Sequence, residues 1–500
     1  MSDPHAASGR RPSTFRRLMV VGGVILLLLV AGGFALYHYQ RNLDEQRLRE
    51  AIALLDTRET AWRLEDIEAG RVVLADDQNS AVQILKIKKM LPASWPAPPA
   101  PTSAGTMPRS IDDRVSEFAP EVALPPELAE ELRAELKAVQ PAVLAARRLA
   151  DLPQGRFPVT WAPDFISTIL PCQEARVVGT LLRLDATLLV QDGQAESAVR
   201  SAVAILNCAR AIGDEPLAIS QLVRIALTHI AVATVERILA QGEPSPAALE
   251  SLQRELEKEL AEPVLVYMAR GERAGQFRLY QGMMDGTASL SQVSGPSGGA
   301  FDRVADWQGA AMARRATPKM LRYMTEFVDA ARLPAEQQRD RMKQIDPQID
   351  PSSLDPGDIL LRLFLPALDK IALASIRQQA LLRCAVVGVA AERFRRGQNR
   401  WPASISELAP NYLPAVPLDP FDGKPLRWRK DPAGFTVYSV GYDGVDNGGN
   451  LDRKRMTQPG TDLGLRFWNA SARRQVAEPL PMPRDESSIR GQPMDEDAPK

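Results

Sequence analysis

At 500 residues the chain is too long for one hydrophobic core, and its 45% apolar content can supply the two or three packing units expected of that length. The 61 basic and 62 acidic residues leave a formal net charge of -1, which provides no whole-molecule field for gathering nucleic acid. Only His5, His38 and His229 exist, which excludes a multi-histidine metal site, and the three cysteines lack the C-x-x-C spacing of a zinc or thioredoxin-like centre.

Residues 1–17 form a basic tail carrying Arg10, Arg11, Arg16 and Arg17. Residues 18–37 (LMVVGGVILLLLVAGGFALY) hold no charge, and about 20 residues at about 1.5 Å each cover the roughly 30 Å hydrocarbon layer of a bilayer. Arg41, Asp44, Glu45 and Arg47 follow with mixed signs, so the positive-inside rule puts the tail in the cytoplasm and the bulk on the far side. The expectation is a single-pass signal anchor in an inner (cytoplasmic) membrane with a periplasmic, or otherwise extracytoplasmic, body. A cleaved signal peptide is the competing reading; its apolar region ordinarily runs about 7–15 residues to a small-x-small site, for which Ala31-Gly32-Gly33 is a poor match. Arg16-Arg17 fits a twin-arginine export signal only loosely.

Leu43, Leu48, Ala51, Leu54 and Leu55 recur at helical spacing and predict a helix leading outward over 42–69. With a second predicted over 80–90, residues 42–91 make a membrane-proximal unit. Prolines turn 92–110 into a linker, because they lack amide donors and fix φ; a Pro-rich recognition segment is the alternative. A helical body is expected over 111–350. In it, Pro125-Pro126 starts a helix over 127–151 whose mixed charges around Leu128, Leu132, Leu136 and Val139 read as a solvated face. Three segments over 174–239, parted by Gln191-Asp192-Gly193 and Gly213-Asp214, predict antiparallel helical hairpins. Their packing is similar to tetratricopeptide arrays in outline, without a fixed period; ordinary bundling is the plain alternative. Helices are also expected over 249–260, 318–331 and 335–344, with a flexible Gly/Ser loop at 285–300. A long apolar helix over 360–396, with Pro366 near its start and Gly397 at its end, opens a last unit at 355–470, and 471–500 is expected to be a disordered tail.

Cys172 and Cys208 can pair in an oxidising compartment if their helices adjoin; otherwise they and Cys384 are small buried hydrophobes. His229, within IALTHIAVATV, reads as a packed histidine with one hydrogen-bond partner. The run at 295–299 (GPSGG) matches G-x-S-x-G but lacks the flanking strand and helix of a nucleophile elbow. Carboxylates are common enough to leave an acid-pair hydrolase open, yet no two stand out.

After the long helix comes W-P-x-S-x-x-E-L from Trp401, then Tyr412-Leu413, P-x-D-P-F-D-G-x-P-L from Pro417, an alternating strand, G-F-x-V-Y-S-V-G from Gly434 and an Asp/Gly loop. Leu426 and Trp428 alternate with Arg427 and Arg429, Phe435 to Val440 supplies a second strand, and Leu463, Leu465 and Phe467 a third. These roughly 100 residues resemble the C-terminal half of the major pseudopilins of bacterial type II secretion systems. The fold class expected is mainly α, with a small C-terminal α+β module whose antiparallel sheet lies on the long helix.

The resemblance implies a calcium site in the Asp-rich loop, with Asp443, Asp446 and Asp462 as ligands, completed by backbone carbonyls near Val440 and by water. The loop also reads as a polar turn, with Gly444, Gly448 and Gly449 supplying positive φ. The chain departs from the family elsewhere: Gly33-Phe34 lies at the wrong end of the apolar stretch for leader cleavage, and His38 stands where a glutamate belongs. The module is therefore expected to be borrowed rather than assembled into a pilus. The expected function is a noncatalytic envelope scaffold that binds the membrane and a protein partner, with no nucleic acid and no identified small-molecule substrate. A secretion-apparatus component is the first alternative, and an envelope hydrolase the second.

Overall fold

The computed structural model describes residues 14–477 apart from 97–108, 163–167, 169, 290–299, 347–348, 350–351, 354 and 453–454. The G-x-S-x-G match, most of the Pro-rich and Gly/Ser segments, the basic tail before 14 and the C-terminal tail beyond 477 lie outside those residues.

The protein is mainly helical, with a small antiparallel sheet near its C-terminus. Helix α1 (Thr14–Arg58) carries the apolar stretch and runs on unbroken into the body. Leu27 and Leu29 are 70% and 68% exposed, so this stretch packs against none of the other described residues. It is an apolar helix compatible with a membrane anchor. The expected continuation to residue 69 fails at Arg58, and α2 (Leu64–Ala69) resumes after a break. Tertiary contacts pull the chain out of the helix axis there: Trp62 is fully buried edge-on to Phe277, and its Nε1 donates to Asp56 at 2.8 Å.

Helix α3 is Ser80–Lys89, α4 Ile111–Ser116, α5 Pro126–Ala138 and α6 Gln140–Arg147. The single helix expected over 127–151 is thus divided at Val139, because Pro141 takes a first-turn position and starts a new helix. Helices α7 (Gln173–Gln191), α8 (Ala195–Arg210) and α9 (Ala218–Gln241) are the expected consecutive trio, turned by Gly193 and Gly213 at φ 79° and 61°. Then come α10 (Pro246–Leu260), α11 (Val264–Asp285), α12 (Ala300–Ala331) and α13 (Ala335–Lys343). Pro318 does not start a helix as expected; it lies inside α12, which packs along α11.

Helix α14 (Pro356–Gln398) is the spine. Asp355 caps its start by accepting from the Gly357 amide at 2.9 Å, and Asn399, not Gly397, takes the left-handed position that ends it. Its Leu360–Ala372 face lies in a core with Leu55, α11 and α12, whereas Leu381 to Phe394 lie in a larger core with α3, α5 to α10 and the sheet. Among the described residues the buried side chains gather in two large cores and a small one around Ile376, Phe421 and Leu463, and α9 and α14 contribute to both large cores. Residues on either side of positions 91, 350 and 355 share these cores, as Leu91 does with Ile111 and Ile345 with Leu360.

Strands β1 (Arg427–Asp431), β2 (Gly434–Ser439) and β3 (Leu463–Trp468) form an antiparallel sheet in that order, with Trp428 opposite Val437 and Val437 opposite Leu465. The sheet packs on α14 at Gly388, where a Cβ would stand 1.7 Å from the Phe467 ring. The edge of β3 is covered by α9, whose Glu236 accepts from the Arg466 amide at 2.9 Å.

Residues 471–477 are ordered, contrary to the expected tail. Arg473 is buried and donates to Glu392 at 2.9 Å and to the Gly242 carbonyl at 2.7 Å, while the Gln475 amide donates to the Glu121 carbonyl at 2.7 Å. A buried charge pair and a backbone clasp outweigh the polar composition that marked the segment as loose.

Candidate functional site: the acidic loop and the groove beside it

The turn after α14 is organised by a residue the sequence did not single out. Asp419, in P-x-D-P-F-D-G, is wholly buried. Its carboxylate accepts from the Phe421 and Val440 amides at 2.9 Å each, the Ser439 hydroxyl at 2.7 Å and Arg427 Nη1 at 2.8 Å. Burial raises its pKa, and these donors oppose that. Arg427 also pairs with Asp422 and places Nε 3.8 Å from Asp446, joining this turn to the acidic loop. The signal available in sequence was an Asp pair three residues apart, followed by an arginine at the start of the next strand.

The three expected calcium ligands all lie in or beside that loop, and each faces amide donors. Asp443 accepts from the Val445 and Gly460 amides at 3.0 and 2.8 Å. Asp446 accepts from the Gly448 amide at 2.9 Å and from the Tyr438 hydroxyl at 3.1 Å. Asp462, buried, accepts from the amides of Asn447, Gly449 and Asn450 at 3.2, 2.7 and 3.2 Å. Asn447 is the link between Asp443 and Asp462, since its Nδ2 also lies 3.4 Å from Asp443. The Val440 amide points at Asp419. Among the described residues no three His, Cys, Asp or Glu side chains gather in metal-binding geometry. The loop closes on itself through these amide bonds.

Beside the loop runs a groove of ligand size. Cavities of about 620 and 340 Å³ adjoin across Leu373 of α14 and Tyr442 of the loop. Met342, Ile345, Ala372, Ile376, Phe421 and Leu463 make its surface apolar; Arg339, Lys343, Lys370 and Arg377 supply cations, against the single acid Asp369. Arg339 donates to the Tyr442 carbonyl at 2.8 Å and lies 5.4 Å from the Phe421 ring centroid, so it ties α13 to the module. Burial, with Asp369 nearby, raises the Tyr323 pKa.

His229 sits between α9 and α14, with Nδ1 3.5 Å from Arg377 Nη2; burial and that guanidinium lower its pKa. The one partner expected of it is thus a cation. Cys172, Cys208 and Cys384 are buried free thiols, so the Cys172–Cys208 bond is not formed; the Cys172 thiol lies 3.6 Å from the Ser220 hydroxyl.

Comparison of the chain with family models, with curated proteins and with solved structures finds no match.

Proposed function

We propose that this chain is a membrane-anchored extracytoplasmic protein that binds a partner through the groove between α12, α13, α14 and the acidic loop. The bare apolar stretch of α1 supports the anchor, and the mixed-sign flank after it supports a cytoplasmic N-terminus in an inner membrane. The observation that carries the binding reading is the groove: an apolar surface with four cations and one acid suits an apolar segment bearing carboxylates. A photocrosslinker at Tyr442 of the full chain in membranes tests it. A discrete adduct that the charge reversals Arg339→Glu and Lys343→Glu remove supports the proposal, and a smear insensitive to both counts against it. A phosphatase reporter joined to residue 477 tests the topology, and cytosolic activity would overturn it.

A secretion-apparatus role is the second reading, favoured by the three-stranded sheet lying on a long helix at Gly388. Co-purification of the chain with a secretion complex is its test. Calcium at Asp443, Asp446 and Asp462 belongs to this second reading. Titration of chelator-treated protein that releases no heat and shifts no melting temperature would remove it.

A further inference from the structure

Where α1 leaves its apolar stretch, α12 runs parallel to it. Arg315 Nε donates to Asp44 at 2.9 Å and Arg58 pairs with Asp329 at 2.5 Å, an identical offset of 271 residues at both contacts. Between the two helices and the start of α14 lies a cavity of about 280 Å³, whose charged lining is Arg47, Arg314, Arg315, Lys319, Asp44 and Asp355.

Its height on α1 is set by helix geometry. Gln40 and Leu43, at its lip, follow Tyr37 by three and six residues, which at about 1.5 Å per residue is roughly 5–9 Å beyond the apolar stretch. The headgroup layer of a bilayer extends about 5–7 Å beyond the hydrocarbon on each side. The cavity mouth is thus level with lipid phosphates when residues 18–37 span the membrane.

The cations differ in what they have left to give. Arg315 is consumed by Asp44, Asp355 and Gln40, and Lys319 by Asp358. Among the described residues Arg314 has only Glu45 at 3.9 Å, and Glu45 is taken by Arg41 at 2.9 Å. Arg47 is exposed and has no ion pair among the described residues. By the same rise the Arg47 backbone stands about 15 Å beyond Tyr37, and Arg314, level with Leu43 by the 271-residue offset, about 9 Å beyond it. Both helices run away from the membrane, so their long side chains lean back toward it, and the two guanidinium groups with open donors line the cavity above the headgroup layer; guanidinium is the side chain suited to bidentate phosphate contacts.

We infer that this cavity holds the phosphodiester of an anionic phospholipid from the leaflet on the body side, with Arg47 and Arg314 as its donors. The inference rests on the membrane-anchor reading. Bound there, the lipid fixes the tilt of the body on its anchor, because it bridges α1 and α12 at their point of emergence.

The test reconstitutes the full chain into vesicles of phosphatidylcholine, with and without phosphatidylglycerol. Insertion is scored first by flotation, then lipid retained through detergent extraction is read by native mass spectrometry. The expected result is equal insertion in both vesicles, with phosphatidylglycerol retained about tenfold over phosphatidylcholine, whose quaternary ammonium cancels the phosphodiester charge and is repelled by the same cations. Arg47→Gln abolishes the preference at unchanged melting temperature, and Arg47→Gln with Arg314→Gln abolishes it as well. Equal retention of both lipids overturns the site while leaving the anchor intact. Displacement of the lipid by millimolar inorganic phosphate overturns the lipid assignment in favour of a soluble phosphate, and failure to float overturns the anchor itself.

Discussion

Helices α1 and α9 are each long and apolar enough to cross a bilayer, yet the body treats them oppositely. The most apolar window of α1 is 0% buried, and that of α9 is 67% buried. The difference is written in their polar residues. Residues 18–37 carry no charge, whereas α9 holds Arg224, Glu236 and Arg237 among its leucines and valines. Each charge is matched inside the body: Arg224 donates to both oxygens of Glu259 at 2.9 and 3.0 Å, Glu236 receives the Arg466 amide, and Arg237 donates to the Phe118 and Val122 carbonyls at 3.3 and 3.2 Å. A core helix can carry charges because neighbours desolvate and satisfy them together; a helix in lipid has no such neighbours.

The sharpest way to break this comparison is to place the same charge in both helices. Leu227→Arg in α9, at a fully buried position, should cost more than about 4 kcal/mol and unfold the body, read by urea denaturation. Leu27→Arg in α1 should leave the denaturation midpoint unchanged and reduce membrane retention, read by flotation. A matching loss of stability in both variants would mean that α1 is packed like α9.

Next in size is Arg224→Met, which leaves the buried Glu259 with Arg210 at 3.3 Å in place of two guanidinium partners and is expected to cost about 3 kcal/mol in the same assay. Adding Glu259→Leu should recover part of the loss, since the under-paired charge is removed while Arg210 keeps Glu255 at 2.6 Å.

Glu215 gives a pH-dependent effect at the start of α9. Its carboxyl accepts from the Ser220 hydroxyl, and burial pushes its pKa up to about 7 from an ordinary 4.5. The folded state thus holds a proton that the unfolded chain releases, so this contribution is complete below about pH 4.5 and is lost as pH rises through about 7. The span is on the order of 3 kcal/mol. Glu215→Gln should remove it, so the variant gains on the native chain between pH 5 and pH 8 in melting temperature. Parallel curves for the two proteins would show that Glu215 is ionised throughout.

The smallest effect is expected where the sheet meets the spine. Gly388→Ala pushes a methyl into the Phe467 ring, at an expected cost of about 1–3 kcal/mol by calorimetry. Phe467→Leu in the same chain should recover part of it.

The elements read correctly were those with strong local patterns. The α7 to α9 trio, the three strands and the long helix came from periodicity and turn residues. The failures fell where a distant group overruled a local preference. Trp62 and Glu59 end α1 because α11 offers Phe277, Arg270 and Arg273. Residues 471–477 are fixed because Glu392 waits for Arg473. At the candidate site the acids of the loop were legible by composition, but Asp419 was not, since its worth lies in amides and an arginine brought to it by the turn.

By itself the amino-acid order determined that residues 18–37 are an uncharged helix of membrane length, that the bulk is helical and that alternating strands close the chain. The folded arrangement alone decided that a second apolar helix is core, that α9 and α14 weld two cores together, and that Arg47 meets Arg314 across a cavity. Periodicity is a property of neighbours in the chain, whereas burial and charge pairing depend on groups hundreds of residues apart, which no local pattern records.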